Sequence, residues 1–173
     1  MAAFALSAKV VDYPDFPVPG IVFKDIMPLL GDPAGLRTAR DRIVEWAQPR
    51  RPEVVAAVDA RGFILGGAVA CELGCGFVPL RKAGKLPGET IATEFHGEYA
   101  TDTIEVQRDA IRPGTRVLVH DDLMATGNCG RAAARLAEKL GGEVVGLAFL
   151  VELTFLGGRE RVADYDVLSL IQY

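Results

Sequence analysis

Two adjacent carboxylates, Asp121 and Asp122, close an apolar run, Arg116-Val117-Leu118-Val119-His120. Such a run reads as a strand buried on both faces. A turn of small residues follows, Ala125-Thr126-Gly127-Asn128-Cys129-Gly130, and Arg131 to Leu140 reads as a helix. Paired carboxylates accept hydrogen bonds from the hydroxyls of a ribose. Loop amides and a helix N-terminus hold a phosphate. Strand, acidic pair, small polar loop and helix together suit a phosphosugar.

Two other stretches carry charge that such a ligand would use. Asp59-Ala60-Arg61-Gly62 ends the apolar run Val54–Val58, and Arg81-Lys82-Ala83-Gly84-Lys85 ends Gly76–Leu80. The second places three cations within five residues. His96 and His120 are the only histidines. His120 lies inside the apolar run and reads as a core or interface histidine rather than a catalyst. The three cysteines, Cys71, Cys75 and Cys129, suit neither a disulfide framework nor a zinc site. Cys71 and Cys75 read as small buried thiols on one helix. The Gly-x-x-x-x-Gly-Lys-Ser/Thr pattern is absent, as is Gly-x-Gly-x-x-Gly after a first strand. Triphosphatase and dinucleotide-fold readings lose their best support with them.

The elements that must position these residues follow from length and patterning. The chain has 173 residues, half of them hydrophobic, and a net charge of −4. One domain spanning 1–173 is expected, with no reason to expect nucleic acid as a partner. No run is long enough to cross a bilayer, so a cytoplasmic, reduced protein is the default. Residues 2–11 read as a short helix, and Asp12–Gly20 as a proline-rich extended arm. That arm packs along the surface or forms a hood over a ligand; the pattern leaves both open. Pro33–Trp46 and Phe63–Leu73 read as helices, Thr103–Gln107 as a half-exposed strand and Arg112–Thr115 as a turn. Residues 86–101 show little periodicity and read as a long functional loop, placed to act as a lid. Gly141-Gly142 ends the helix of the phosphosugar motif. A strand over 143–151, a short helix over 155–162 and a strand over 167–171 complete the chain.

Strands alternating with helices imply an α/β fold with a central, mostly parallel sheet flanked by helices. Ligands of such sheets bind beyond the C-terminal strand ends. The rule predicts that Asp59–Gly62, Arg81–Lys85 and Asp121–Gly130 converge.

Val119-His120-Asp121-Asp122-Leu123-Met124-Ala125-Thr126-Gly127 resembles the phosphoribosyl-pyrophosphate motif of type I phosphoribosyltransferases. Phe16–Ile26, Asp59–Phe63, Pro79–Gly88, Glu98-Tyr99 and Leu150–Leu153 resemble the adenine phosphoribosyltransferase family in particular. These matches run in order over nearly the whole chain. The resemblance implies the type I phosphoribosyltransferase fold, a small N-terminal hood over residues 1–30 and a flexible catalytic loop over 86–101. It also implies a homodimer that converts adenine and 5-phosphoribosyl 1-pyrophosphate to AMP and pyrophosphate with Mg²⁺, a step of purine salvage. The ion would be held through substrate and water rather than by direct protein ligands.

The same resemblance assigns roles. Asp121 and Asp122 would bind the ribose 2′- and 3′-hydroxyls, and Ala125, Thr126, Gly127, Asn128 and Cys129 would wrap the 5′-phosphate. Arg61 would hold pyrophosphate beside a cis Asp59–Ala60 bond. Val22, Phe23 and Lys24 would surround adenine. Arg81, Lys82 and Lys85 would face pyrophosphate, Arg81 and Lys85 from the neighbouring subunit. Glu98 and Tyr99 would lie on the catalytic loop, with Glu98 handling the purine proton. A closing loop is useful there because it keeps water from an oxocarbenium-like species.

Three departures from the family pattern stand out. His120 replaces an aliphatic residue. Asn128-Cys129 replaces Gly-Thr, which removes a phosphate-binding hydroxyl and sets a thiol at a helix N-terminus, where a lowered pKa is expected. Ala100 follows Glu98-Tyr99 where glycine is common, stiffening the lid. Two other readings stay open: transfer to xanthine or hypoxanthine, which the Phe-Pro-x-Pro-Gly-Ile arm argues against, and a non-catalytic sensor of phosphoribosyl pyrophosphate. Such a sensor would carry an added DNA-binding domain and lose the lid residues.

Overall fold

The computed structural model describes residues 5–96 and 101–173. A 3₁₀ turn, Leu6–Lys9, leads into an antiparallel hairpin of β1 (Val11–Pro14) and β2 (Val22–Asp25). There follow α1 (Met27–Leu30), α2 (Pro33–Ala47), β3 (Val54–Val58), α3 (Gly62–Leu73) and β4 (Gly76–Lys82). Then come β5 (Thr90–His96), β6 (Thr101–Gln107), β7 (Arg116–Met124), α4 (Asn128–Lys139), β8 (Glu143–Glu152), α5 (Gly158–Arg161) and β9 (Val167–Gln172). The main sheet runs β5-β6-β4-β3-β7-β8-β9. The five strands from β4 to β9 in that order are parallel, while β6 on β4 and β5 on β6 are antiparallel. The expected mostly parallel α/β sheet is present.

Strand period divides the interior in two. Val55 and Leu118 join Ala39, Ile43, Leu65 and Val69 in the core beneath α2 and α3. Ala56, Val117 and Val119 join Ala133, Leu136 and Phe149 in the core beneath α4. Helices therefore cover both faces, which is why β3 and β7 read as continuous apolar runs rather than alternating ones. The small residues of α3 let it lie close on the sheet: a Cβ at Gly66 would stand 2.7 Å from the Cβ of Ala57. At the start of α2, Asp32 accepts a hydrogen bond from the Ala34 amide at 3.1 Å, and Pro33 holds the first helical position.

Several sequence expectations are corrected. Within the described part of the helix expected over 2–11 there is only a 3₁₀ turn, Leu6–Lys9, and the chain is already extended at Val11; residues 2–4 lie outside the described residues. The proline-rich arm is not one extended segment. It turns back through Asp15–Gly20, and the Gly20 amide donates to Asp15 Oδ1 at 2.7 Å. Residues 86–101, read as irregular, contain β5, which pairs with β6 from Thr90↔Gln107 to His96↔Thr101. Ile91, Thr93 and Phe95 share one face of it, and the polar Thr93 and Glu94 weaken the apolar signal. The strand does not end at the acidic pair. It continues to Met124 because β8 offers pairing partners as far as Glu152. Cys71 is exposed and Cys75 half-buried beyond the end of α3, so neither is the buried helical thiol expected.

Candidate active site

Asp121 and Asp122 are both largely buried, 7% and 8% exposed, at the C-terminal end of β7. The loop after them turns at Gly127, whose φ of 77° favours glycine. A Cβ there would lie 2.2 Å from the carbonyl oxygen of Gly158, so the turn is also too tight for any side chain. Helix α4 begins directly at Asn128, three residues before the expected start, and no side chain caps it. Its first amides face the loop with the positive end of the helix dipole behind them.

A cavity of about 370 Å³ opens there. Asp59, Ala60, Arg61, Lys82, Asp121, Asp122, Ala125, Thr126, Gly127 and Cys129 line it, so three separated stretches of sequence converge as the strand-end rule predicts. The Asp59–Ala60 bond is cis. Phe95, Asp102 and Ile104, from the β5–β6 hairpin, complete the wall. Sequence reading missed them. The signal was the period of two in β6, which sets Asp102 and Ile104 on one face; Lys82 Nζ stands 3.6 Å from Asp102 Oδ1.

The other expected residues stand around this cavity rather than on its wall. Arg81 Nε lies 2.9 Å from Asp59 Oδ2, and its Nη1 donates to the Lys85 carbonyl at 3.3 Å. On β2, the Phe23 ring lies 5.0 Å from the Arg61 guanidinium carbon and packs edge-on against Phe16. That contact joins the N-terminal hairpin to the rim of the cavity. Val22 beside it is exposed. Lys24 is otherwise engaged: its Nζ is 2.7 Å from Asp12 Oδ2 and 3.9 Å from the Tyr173 ring centroid. Asn128 Nδ2 donates to the His96 carbonyl at 2.9 Å, tying α4 to the end of β5. Lys85 contributes its backbone amide to Glu105. Glu98, Tyr99 and Ala100 lie outside the described residues.

The electrostatics of the acidic pair suit a ligand that brings donors or positive charge. Burial, and then the charge of Asp122, push the Asp121 carboxyl well above the usual carboxylate range. Burial also raises Asp122, against the opposing pull of Arg61, whose Nε is 2.8 Å from Asp122 Oδ2. Of the two carboxylates the guanidinium meets Asp122, and ribose hydroxyls would relieve the shortfall at Asp121. The expectation of a lowered pKa for Cys129 is overturned. Burial, followed by the nearby Asp121 charge, raises this thiol well above its ordinary value. The helix dipole is outweighed because the sulfur points at a carboxylate rather than at solvent.

His120 is fully buried, as its place in the apolar run suggested. Its Nδ1 lies 2.8 Å from the Ala148 carbonyl, and burial lowers its pKa to about 4.

Fold and site together define a phosphoribosyl transferase: residues 35–172 match the family model described as the phosphoribosyl transferase domain, and the chain belongs to that family. Within it, the chain is 54% identical to the adenine phosphoribosyltransferase of Thermobifida fusca (strain YX), over 92% of this chain and 90% of that one. A crystal structure of adenine phosphoribosyltransferase from Rhodothermus marinus DSM 4252 is 51% identical, with a TM-score of 0.92 over 97% of this chain and 96% of that one. The APRTase of Giardia lamblia complexed with 9-deazaadenine is 40% identical, with a TM-score of 0.93 over 97% and 96%.

Proposed function

We propose that the chain transfers the phosphoribosyl group of 5-phosphoribosyl 1-pyrophosphate to adenine, giving AMP and pyrophosphate. One observation carries this reading beyond family likeness: the acidic pair, the uncapped start of α4 and the cations Arg61 and Lys82 open on one cavity. The amides and the Thr126 hydroxyl from Ala125 to Cys129 hold the 5′-phosphate. Asp121 and Asp122 accept from the 2′- and 3′-hydroxyls. Arg61 and Lys82 meet the pyrophosphate, with Arg81 and Lys85 contributing from the neighbouring subunit of a homodimer. In the reaction the bond from C1′ to the pyrophosphate oxygen breaks, with its electron pair leaving on pyrophosphate, and a purine nitrogen bonds to C1′. The cations stabilise the departing charge. Backbone groups of Val22 and Lys24 and the ring of Phe23 hold adenine, and Glu98, beside Tyr99 on the catalytic loop, accepts the proton that the purine loses.

Mg²⁺ belongs to this proposal, as does a cytoplasmic location. Among the described residues, no three His, Cys, Asp or Glu side chains gather as a metal site. Mg²⁺ keeps several waters and commonly binds substrate phosphates, so with Asp121 and Asp122 engaged by ribose the ion would be held mainly through the pyrophosphate and water. The ion would neutralise charge on the pyrophosphate.

Incubation with 5-phosphoribosyl 1-pyrophosphate, Mg²⁺ and each purine separately tests the reading. AMP formed from adenine, with no nucleotide from hypoxanthine or xanthine, is the expected result. Nucleotide from another purine overturns the base assignment, and ligand binding without any product points to a sensor.

A further inference from the structure

Glu105 is a carboxylate only 6% exposed, yet it does not line the cavity. It sits on β6 opposite Arg81 of β4 and Ala92 of β5. Its Oε1 accepts from the Lys85 and Leu86 amides, each at 3.0 Å, and its Oε2 accepts from the Thr90 hydroxyl at 3.2 Å. We propose that Glu105 is a positioning residue that fixes the cationic turn after β4, and through it the site for pyrophosphate.

The Lys85 peptide is held from both sides. Glu105 takes its amide, while Arg81 donates to its carbonyl. Arg81 is in turn anchored on Asp59 at the cavity wall. A continuous chain therefore runs from Asp59 through Arg81, the Lys85 peptide and Glu105 to Thr90, where β5 begins. It links the end of β3, the cationic turn and the hairpin that carries Phe95 and Asp102 into the cavity. A carboxylate suits this post because one oxygen can accept two consecutive amides in charge-assisted bonds. Burial pushes the Glu105 carboxyl up, but the Leu86 and Lys85 amides and the Thr90 hydroxyl outweigh that and leave it below its ordinary range. It is therefore charged at neutral pH. Glutamine keeps an acceptor oxygen for the two amides, and its N–H₂ can donate to the Thr90 hydroxyl, which also accepts, so it removes the charge more than the geometry.

The assignment of the turn to pyrophosphate rests on the transfer reading above, so the test uses direct binding as well as turnover. Glu105→Ala and Glu105→Gln, in the full chain, are titrated calorimetrically with inorganic pyrophosphate plus Mg²⁺ and, separately, with AMP. Loss of the three bonds to the carboxylate predicts about tenfold weaker pyrophosphate binding for Glu105→Ala, and a smaller loss for Glu105→Gln. AMP binding stays within about twofold in both, since AMP has no pyrophosphate to place. The KM for 5-phosphoribosyl 1-pyrophosphate rises while the KM for adenine holds. Equal losses for AMP and pyrophosphate, or unchanged pyrophosphate binding, overturn the proposal. If Glu105→Ala does not fold, Glu105→Gln is read by the same two titrations. Absence of AMP synthesis by the unsubstituted protein defeats the transfer reading alone; the binding contrast still decides the role of Glu105.

Discussion

Cys129 Sγ lies 3.4 Å from Asp121 Oδ2, so the first turn of α4 reaches back to the strand that carries the acidic pair. This contact reverses the behaviour expected of a thiol at a helix N-terminus. The sulfur of half-buried Cys129 faces a carboxylate, and ionising it would set two negative charges together. Cys129 should therefore react slowly with iodoacetamide at pH 8, and exposed Cys71 quickly. Mass spectrometry of tryptic peptides over a time course checks this. Labelling of Cys129 as fast as Cys71 would contradict the thiol–carboxylate pair.

Gly127 has no room to vary. Alanine there must adopt a left-handed conformation, costing about 1–2 kcal/mol, and also displace the Gly158 carbonyl. Gly127→Ala should lower the melting temperature by roughly 4 °C or more. It should also weaken AMP binding, because the displaced turn carries the amides proposed to hold the phosphate. Calorimetric melting and an AMP titration read both effects. Unchanged AMP affinity would show that the turn does not hold the phosphate.

The side chain of Asn128 also braces an element that its position in the motif did not suggest. Its side-chain amide is bonded to the His96 carbonyl, so it braces the end of β5. Asn128→Gly should cost about 1 kcal/mol. Amide hydrogen exchange should quicken selectively within Thr90–His96, while β7 and β8 remain protected. Exchange that is unchanged in β5 would mean that the brace carries no stability.

The frame of this protein was readable because doubly buried parallel strands leave unbroken apolar runs. Val54–Val58 and Val117–His120 announced themselves, and the strand-end rule then brought Arg61, Lys82 and Asp121 together. Elements stabilised by pairing rather than by apolar content were not readable. Only Ile91 and Phe95 mark β5 as half-buried, and its register with β6 is a long-range property. The same holds for β7 beyond the acidic pair, where pairing with β8 overrides two charges. Glu105 was invisible for a related reason: its partners lie 15 to 20 residues away in sequence. The reactivity of Cys129 was misjudged because the dipole belongs to α4 itself, whereas the facing carboxylate is brought to the helix by β7.

His120 should govern the acid limb of stability. It is neutral and buried against Ala148, with Nε2 lacking a protein partner among the described residues. Its folded pKa of about 4 lies below the ordinary 6.5, so the unfolded chain binds the proton more readily. Stability is then fully present above pH 6.5 and declines as pH falls through 6.5 toward 4, at up to about 1.4 kcal/mol per pH unit. The raised carboxyls of Asp121 and Asp122 act in the opposite sense, since acid relieves their burial. A difference between two proteins that share this pair isolates the histidine. His120→Leu keeps an apolar side chain in the layer beneath α3, and its urea-unfolding free energy should match the unsubstituted protein to within about 1.5 kcal/mol at pH 7.5. Between pH 6.5 and pH 4 the variant should gain steadily on the unsubstituted protein. Parallel stability curves across that window would show that His120 is protonated without cost, against its complete burial.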